Sequence, residues 1–287
     1  MAPLVEPFFD TNTGTFSYVV YSQTGKSCAV VDPLRDYEGS SARTGQVMAD
    51  QILEFITRKG LQLEWLLETH IHADHLSASG YLKERLGGKI ATSAAVKHVA
   101  EHFSRIFNGA ASTFDPQLHF DHLFEPEEEF YIGDMHATAM HVPGHTQADT
   151  AFYVDNSIIF VGDTLFAPDV GTARCDFPGG NASMLWRSIQ RILCLPLSTR
   201  MYLCHDYPPE SRGPRCEYSV AQQKVSNIHL TCYQSELEFT RFRNERDQAL
   251  HVPELLVPSL QTNLRAGALP AAESNGISYI KVPLNTF

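Results

Sequence analysis

Seven side chains suited to holding a metal ion stand out in this sequence, and four of them fall within six residues. The segment Thr69-His70-Ile71-His72-Ala73-Asp74-His75 carries three histidines and a carboxylate. On an extended backbone alternate side chains share a face. His70 and His72 therefore point to one side and can reach a single ion about 2.0–2.2 Å away. Asp74 and His75 follow where the chain turns and face a neighbouring position. Three further candidates stand at strand ends: His145 in Val142-Pro143-Gly144-His145-Thr146, Asp163 in Phe160-Val161-Gly162-Asp163-Thr164, and His205 in Leu203-Cys204-His205-Asp206-Tyr207. At the first of these, Pro-Gly turns the chain sharply as the imidazole is presented. A polar loop accounts for any one of these groups but not for four ligands in this order, so the chemistry expected is metal-based.

The elements that must place these groups begin with TFSYVVYS (15–22) and CAVVDP (28–33), which read as a hairpin turning at Gln23–Lys26. Apolar residues recur at helical spacing from Thr44 and stop at Gly60. LEWLLETH (63–70) is a buried strand that delivers the chain into the histidines. A helix over Ser79–Leu86 ends at Gly87-Gly88, and KIATS (89–93) is the next strand. A helical piece over Ala94–Phe107 leads to a stretch ending EPEEEF, whose acids read as a solvated loop. Three strands follow Gly133: MHATAMHVPGHT (135–146), DTAFYVDN (149–156) and SIIFVGDT (157–164), with Asp155-Asn156 as a hairpin turn. Leu185, Ile189, Ile192 and Leu193 line one face of a helix starting near Ser183, and MYLCHDY (201–207) is a strand running out into a loop. Beyond Pro208 the chain becomes polar and helical. Ser235 with Glu238 forms a capping-box pattern, and GISYIKVP (276–283) reads as a returning strand. The alternation predicts an α/β fold with sheets packed inside helical layers.

The order HxHxDH, PGHT, GDT and strand-end histidine resembles the ligand series of the metallo-β-lactamase superfamily, over roughly residues 10–210. The resemblance implies a four-layer αββα sandwich with its metal at the exposed edge of two sheets. It places a catalytic domain over 1–210, with a C-terminal helical extension over 211–287 packed on it. His70, His72 and His145 would form one metal position, and Asp74, His75 and His205 a second, with Asp163 able to bridge.

Finer motifs are similar to the persulfide dioxygenase (sulfur dioxygenase) branch: HADH, PGHT, GDTLF, Gly171-Thr172-Ala173-Arg174-Cys175-Asp176-Phe177, HDY, and Val257-Pro258-Ser259-Leu260-Gln261-Thr262-Asn263-Leu264-Arg265-Ala266-Gly267. That branch implies one Fe(2+) per chain held by His70, His145 and Asp163, with His72, Asp74, His75 and His205 around it. Two histidines and a carboxylate on one face of an octahedral ion leave positions open, as in non-haem iron oxygenases. The implied reaction is oxidation of glutathione persulfide by O2 to sulfite and glutathione, in an enzyme that often forms a homodimer. Arg174 and Arg265 are the cations expected to meet the substrate's carboxylates. Asp74 is expected to orient ligands and water, and Tyr207 to donate towards bound oxygen. Cys175, with no basic partner in sight, is expected to be a buried bystander. The same seven ligands would also serve a glyoxalase-II-like hydrolase of glutathione thioesters, in which Zn(2+), alone or with iron, forms a dinuclear site and activates water. The flanking motifs favour the dioxygenase. Two features depart from the family pattern: Leu76-Ser77-Ala78-Ser79-Gly80 lacks the usual glycine-rich turn, and the 94–130 region is long enough to cover the pocket.

Composition narrows the remaining classes. The 287 residues include 22 basic and 33 acidic side chains, a net charge of −11, which disfavours a nucleic acid or an anionic bilayer as partner. No apolar run approaches the length of a transmembrane helix. The start MAPLVEPFFD, with its first basic residue at Lys26, fits neither a secretory signal nor a mitochondrial presequence. Six cysteines (28, 175, 194, 204, 216 and 232) without CxxC spacing read as reduced thiols. A cytoplasmic enzyme acting on a small molecule is the expectation.

Overall fold

In a computed structural model, which describes residues 3–287, the two β-rich halves form two six-stranded sheets. The first contains, in spatial order, Leu4–Asp10, Thr15–Tyr21, Ser27–Val31, Gln62–Leu67, Lys89–Ser93 and His122–Phe124. Its first three strands pair antiparallel and the rest parallel. The second contains Glu128–Ile132, Met135–His141, Thr150–Val154, Ile158–Phe160, Arg200–Tyr202 and Glu217–Ser219. Asp155 and Asn156 both take positive φ in the tight turn between its third and fourth strands, closed by the Ser157 N–H donating to Val154 O.

Period-two alternation explains the layering. Along Thr15–Tyr21, Phe16, Tyr18 and Val20 face the second sheet, while Val19 faces outward. Ala29 and Val31 turn inward, and Cys28 and Val30 outward. The second sheet answers with Ala137, Phe152, Ile158 and Phe160 inward, and Ala151, Ile159 and Val161 outward. Helices Val47–Lys59, Ser79–Leu86 and Val96–Ile106 cover the first sheet, and Ala182–Leu193 covers the second. Four layers result, as expected for a chain whose strands are apolar on both faces. Among the described residues no helix is long and apolar enough to cross a membrane.

The two sheets share backbone hydrogen bonds at one end. The Phe16 N–H donates to Cys204 O (2.7 Å) and the Asp206 N–H to Gly14 O (3.0 Å), with Thr15 and His205 paired between them. The Tyr18 hydroxyl donates to Leu203 O at the same end.

Three segments differ from the sequence expectations. The acidic run is not a loop throughout: Glu128–Ile132 is a strand with Phe130 and Ile132 buried, Glu129 exposed and Glu128 half-buried. Residues 276–283 form no strand. Their backbone is held by a side chain, since the Gln261 amide donates to Lys281 O (2.9 Å) and accepts from the Lys281 N–H (3.0 Å). Leu4–Asp10 adds a strand that the sequence pattern does not announce. Residues beyond 210 contribute the last strand of the second sheet before turning helical at Val220–Ser226, Ile228–Cys232, Glu236–Asp247 and Leu256–Asn263.

Candidate metal centre

All seven candidate ligands meet at the end where the sheets are joined. The strand Gln62–Leu67 releases the chain into Thr69, which is fixed by Asp32: its N–H and hydroxyl donate to the two carboxylate oxygens at 2.7 and 2.9 Å. Asp32 ends its own apolar strand with φ +48. It carries the signal that marks Asp163, a carboxylate leaving an apolar run, yet sequence reasoning passes it over because it lies outside the histidine motifs.

These bonds set the histidine tautomers. Because Thr69 Oγ1 donates to Asp32, it must accept from His70 Nδ1–H (3.0 Å), which frees His70 Nε2. His72 faces Asp32 with Nε2 (3.1 Å), which frees Nδ1. Thr13 Oγ1 donates to Asp10, so Thr15 Oγ1 donates to Thr13 and accepts from His205 Nδ1–H at 3.2 Å. His145 donates from Nδ1 to Arg174 O at 2.7 Å.

Two glycines make the approach possible. A Cβ on Gly144 would lie 2.3 Å from the Leu185 Cα, because the turn before His145 abuts the start of helix Ala182–Leu193. That start is tied back to it by the Asn181 N–H donating to Gly144 O. Gly162 has φ +53, and a Cβ there would meet Thr69 Oγ1 at 2.7 Å, so Asp163 is presented directly against the His70 segment.

Ligand atoms of His70, His145 and Asp163 lie within 4.8 Å of one another, and those of His72, His75, His205 and Cys204 form a second such group. Asp163 faces both. Its Oδ2 is 3.7 Å from His145 Nε2 and 4.0 Å from His70 Nε2, and its Oδ1 is 3.5 Å from His205 Nε2. Asp74 Oδ2 stands 3.3 Å from His205 Nε2. The residues fit a metal ion on a specific ground: His70 Nε2, His72 Nδ1, both nitrogens of His75, His205 Nε2 and Asp163 Oδ1 are buried without a hydrogen-bond partner. Buried polar atoms left unpaired in such number are costly unless a ligand satisfies them. Burial and the neighbouring imidazoles hold His70 and His75 well below the usual histidine range, in the neutral form that coordinates. Burial also opposes charge on His72, but Asp32 and Glu68 outweigh it and raise its pKa to about 9. A cation at Nδ1 would compete for that proton. Cys204, read from the sequence only as a reduced thiol, is buried, and its thiol is pushed well above its ordinary value by burial first and nearby carboxylates second.

A cavity of about 340 Å³ opens beside Asp74, His145 and Asp163. Tyr207 lines it, half-exposed, its ring stacked on His205 with centroids 5.7 Å apart. Arg174 lines it too, but its guanidinium is bidentate to Asp176 (2.6 Å each) and donates to His251 O. Arg243 and Arg246 complete the cationic wall from helix Glu236–Asp247. Arg246 is the exposed one, and an i, i+3 arginine pair on a charged helix was the available sequence signal. The structure does not bring Arg265 to this cavity. Its guanidinium lies over the Phe114 ring, donates to Gln261 O and lines a separate cavity with Asn108 and Lys281. Phe103, from the long 94–130 region, joins Phe177, Val252 and Leu256 in a largely apolar cavity of about 200 Å³ that also borders His145. Cys175 is buried and its thiol raised, by burial first and Asp247 next, so it is protonated.

Comparison with known proteins identifies the family. The chain is 43% identical to Glyoxylase B2 of Dictyostelium discoideum over 98% of its own length and 97% of that protein's. It is 30% identical to a hydroxyacylglutathione hydrolase of Methylococcus capsulatus, covering 78% and 77% of the two chains. The crystal structure of ETHE1 from Myxococcus xanthus superposes with a TM-score of 0.73 at 25% identity, over 92% of this chain and all of that one. The family model of the metallo-beta-lactamase superfamily spans residues 10–205. The fold, the ligand series and these matches agree: the chain belongs to the metallo-β-lactamase superfamily.

Proposed function

We propose that this protein oxidises glutathione persulfide with O2 to sulfite and glutathione, with one Fe(II) per chain held by His70, His145 and Asp163. The observation that carries the reading is the compact two-histidine, one-carboxylate group at the wall of a cationic cavity. Iron bound there would supply the one-electron chemistry that triplet oxygen requires. The balance is GSSH + O2 + H2O → GSH + SO3(2−) + 2 H+.

The chain's own residues do the rest. Arg246, the exposed arginine of the wall, draws in the carboxylates of the substrate. Thr69, Asp32 and the Arg174 carbonyl fix the ligand imidazoles, so that only Nε2 of His70 and His145 faces the centre. Asp74, 3.3 Å from His205, accepts a proton or a water hydrogen at the cavity floor. Tyr207 offers its hydroxyl from the rim. Similarity to a hydroxyacylglutathione hydrolase supports a glutathione-linked substrate.

A second reading has its own support. The unpartnered nitrogens of His75 and His205, with Asp163 Oδ1 beside them, suit a second ion and hence a dinuclear hydrolase of glutathione thioesters. The deciding experiment is O2 uptake by anaerobically iron-loaded protein on adding glutathione persulfide, with metal counted on the same sample. Uptake with sulfite formation and one iron per chain is expected. No uptake, two metals and hydrolysis of S-lactoylglutathione would give the assignment to the hydrolase.

A further inference from the structure

We infer that Asp247, at the end of helix Glu236–Asp247, is a positioning residue for His145 and acts on it through a single peptide group. The peptide joining Arg174 to Cys175 is engaged at both ends. Its carbonyl oxygen accepts from His145 Nδ1 at 2.7 Å, and its N–H donates to Asp247 Oδ2 at 2.7 Å. The inference rests on His145 being a metal ligand and not on which reaction the metal serves.

The surroundings leave Asp247 few other uses. It is 4% exposed. Its Oδ1 is occupied by Arg243, through Nε at 3.0 Å and Nη2 at 2.6 Å, so Oδ2 remains for the Cys175 N–H. Arg243 also donates to Thr172 O at 3.0 Å, which anchors the other end of the same short segment. The Cys175 side chain adds nothing here, since its thiol is buried and protonated. What the segment presents to the metal centre is its backbone.

A carbonyl whose own peptide N–H is bonded to an anion is a stronger acceptor, because chained hydrogen bonds polarise one another by about 10–30% per bond. An imidazole donating to that acceptor is held in the Nδ1–H tautomer, and its free Nε2 becomes a better donor to a metal. Three other candidate histidines follow the same rule by routes of different length. His72 meets Asp32 directly, His70 reaches it through the Thr69 hydroxyl, and His205 reaches Asp10 through Thr15 and Thr13. Asp247 is the corresponding carboxylate for His145, and it links the helices after residue 210 to the centre.

The test is cobalt(II) titration of the full-length apoprotein, comparing wild type with Asp247→Asn. The expected result is affinity weaker by about 10- to 100-fold, with a shifted visible spectrum of the bound cobalt. An Asp247 that only braces the fold would lower the melting temperature while cobalt affinity and spectrum stay at wild-type values, and that result overturns the inference. If Asp247→Asn does not fold, long-range 1H–15N correlation of wild-type apoprotein decides. His145 is expected as the Nδ1–H tautomer, and an Nε2–H tautomer overturns the relay. His145→Ala separates the levels. Wild-type cobalt affinity in that variant would remove His145 from the ligand set and the inference with it. Loss of cobalt there, with Asp247→Asn unaffected, would remove only the relay.

Discussion

The Asn263 side chain grips the backbone of His72: its Nδ2 donates to His72 O at 2.8 Å and, at the same distance, to His75 O. Its Oδ1 accepts from the Ser77 N–H at 2.7 Å. One buried amide from the C-terminal helix Leu256–Asn263 thus fixes the turn that carries three candidate ligands, His72, Asp74 and His75. It takes the place of the missing glycine-rich turn as the device that shapes this segment.

Asn263→Ala leaves two carbonyls and one N–H buried without partners. At about 1–3 kcal/mol for each unsatisfied group, we expect a loss of at least about 3 kcal/mol, read from urea unfolding of the metal-free protein. Asn263→Asp should be no better, because a carboxylate would face two carbonyl oxygens. A loss below about 1 kcal/mol would mean that water replaces the amide.

Acid should weaken the fold through His229. Burial first, then Arg243 and Arg246, lowers its pKa from 6.5 to about 4, and its Nδ1 accepts from the Thr172 N–H. The unfolded chain therefore takes up a proton near pH 6.5 that the folded chain refuses until about pH 4. The stabilisation is complete above the upper value and is lost as pH falls towards the lower one. His229→Asn keeps an acceptor but cannot titrate, so its melting temperature should fall less steeply between pH 6.5 and 4. Parallel curves for wild type and variant would exclude His229 as the cause.

Gly144→Ala should disturb the centre from outside it. The added Cβ collides with the backbone of Leu185, so helix Ala182–Leu193 or the His145 turn must move. Overpacking of this kind costs about 1–3 kcal/mol, and metal affinity should fall with it. Wild-type affinity by competition with a chromophoric chelator would show that the helix yields instead of the turn.

Arg246→Ala should raise KM for glutathione persulfide about tenfold with little change in kcat, the mark of a lost charge-assisted contact made equally in ground and transition states. Arg265→Ala, remote from the cavity, should leave both constants unchanged. Steady-state O2 uptake distinguishes the two, and a KM effect at Arg265 alone would relocate the substrate.

What the sequence made legible follows from how local each signal is. The helix Ser79–Leu86, the strand Lys89–Ser93 and the Asp155-Asn156 turn are each fixed by their own residues, and all appear where the pattern puts them. The ligands were legible because metal chemistry demands rare side chains at strand ends. Their supports were not: Asp32, Asp247 and Asn263 act through hydrogen bonds between segments distant in the chain, and no spacing rule records such partners. Residues 276–283 show the converse error, where a β-like composition pairs with no strand and the Lys281 backbone is bonded by Gln261 instead. Arg265 fails as a guide for a similar reason, since charge alone does not say which cavity an arginine lines.

The backbone bonds that tie Gly14 and Phe16 to Cys204 and Asp206 have one last consequence. They fasten the sandwich directly beneath the ligands, so the position of His205 is set by the protein's own backbone. The centre is then a socket and not a seal: ions should enter and leave the folded protein without unfolding it. Selectivity among divalent metals in a ready-made site follows availability as much as affinity, so the metal found in a preparation should report the medium in which the protein was last equilibrated.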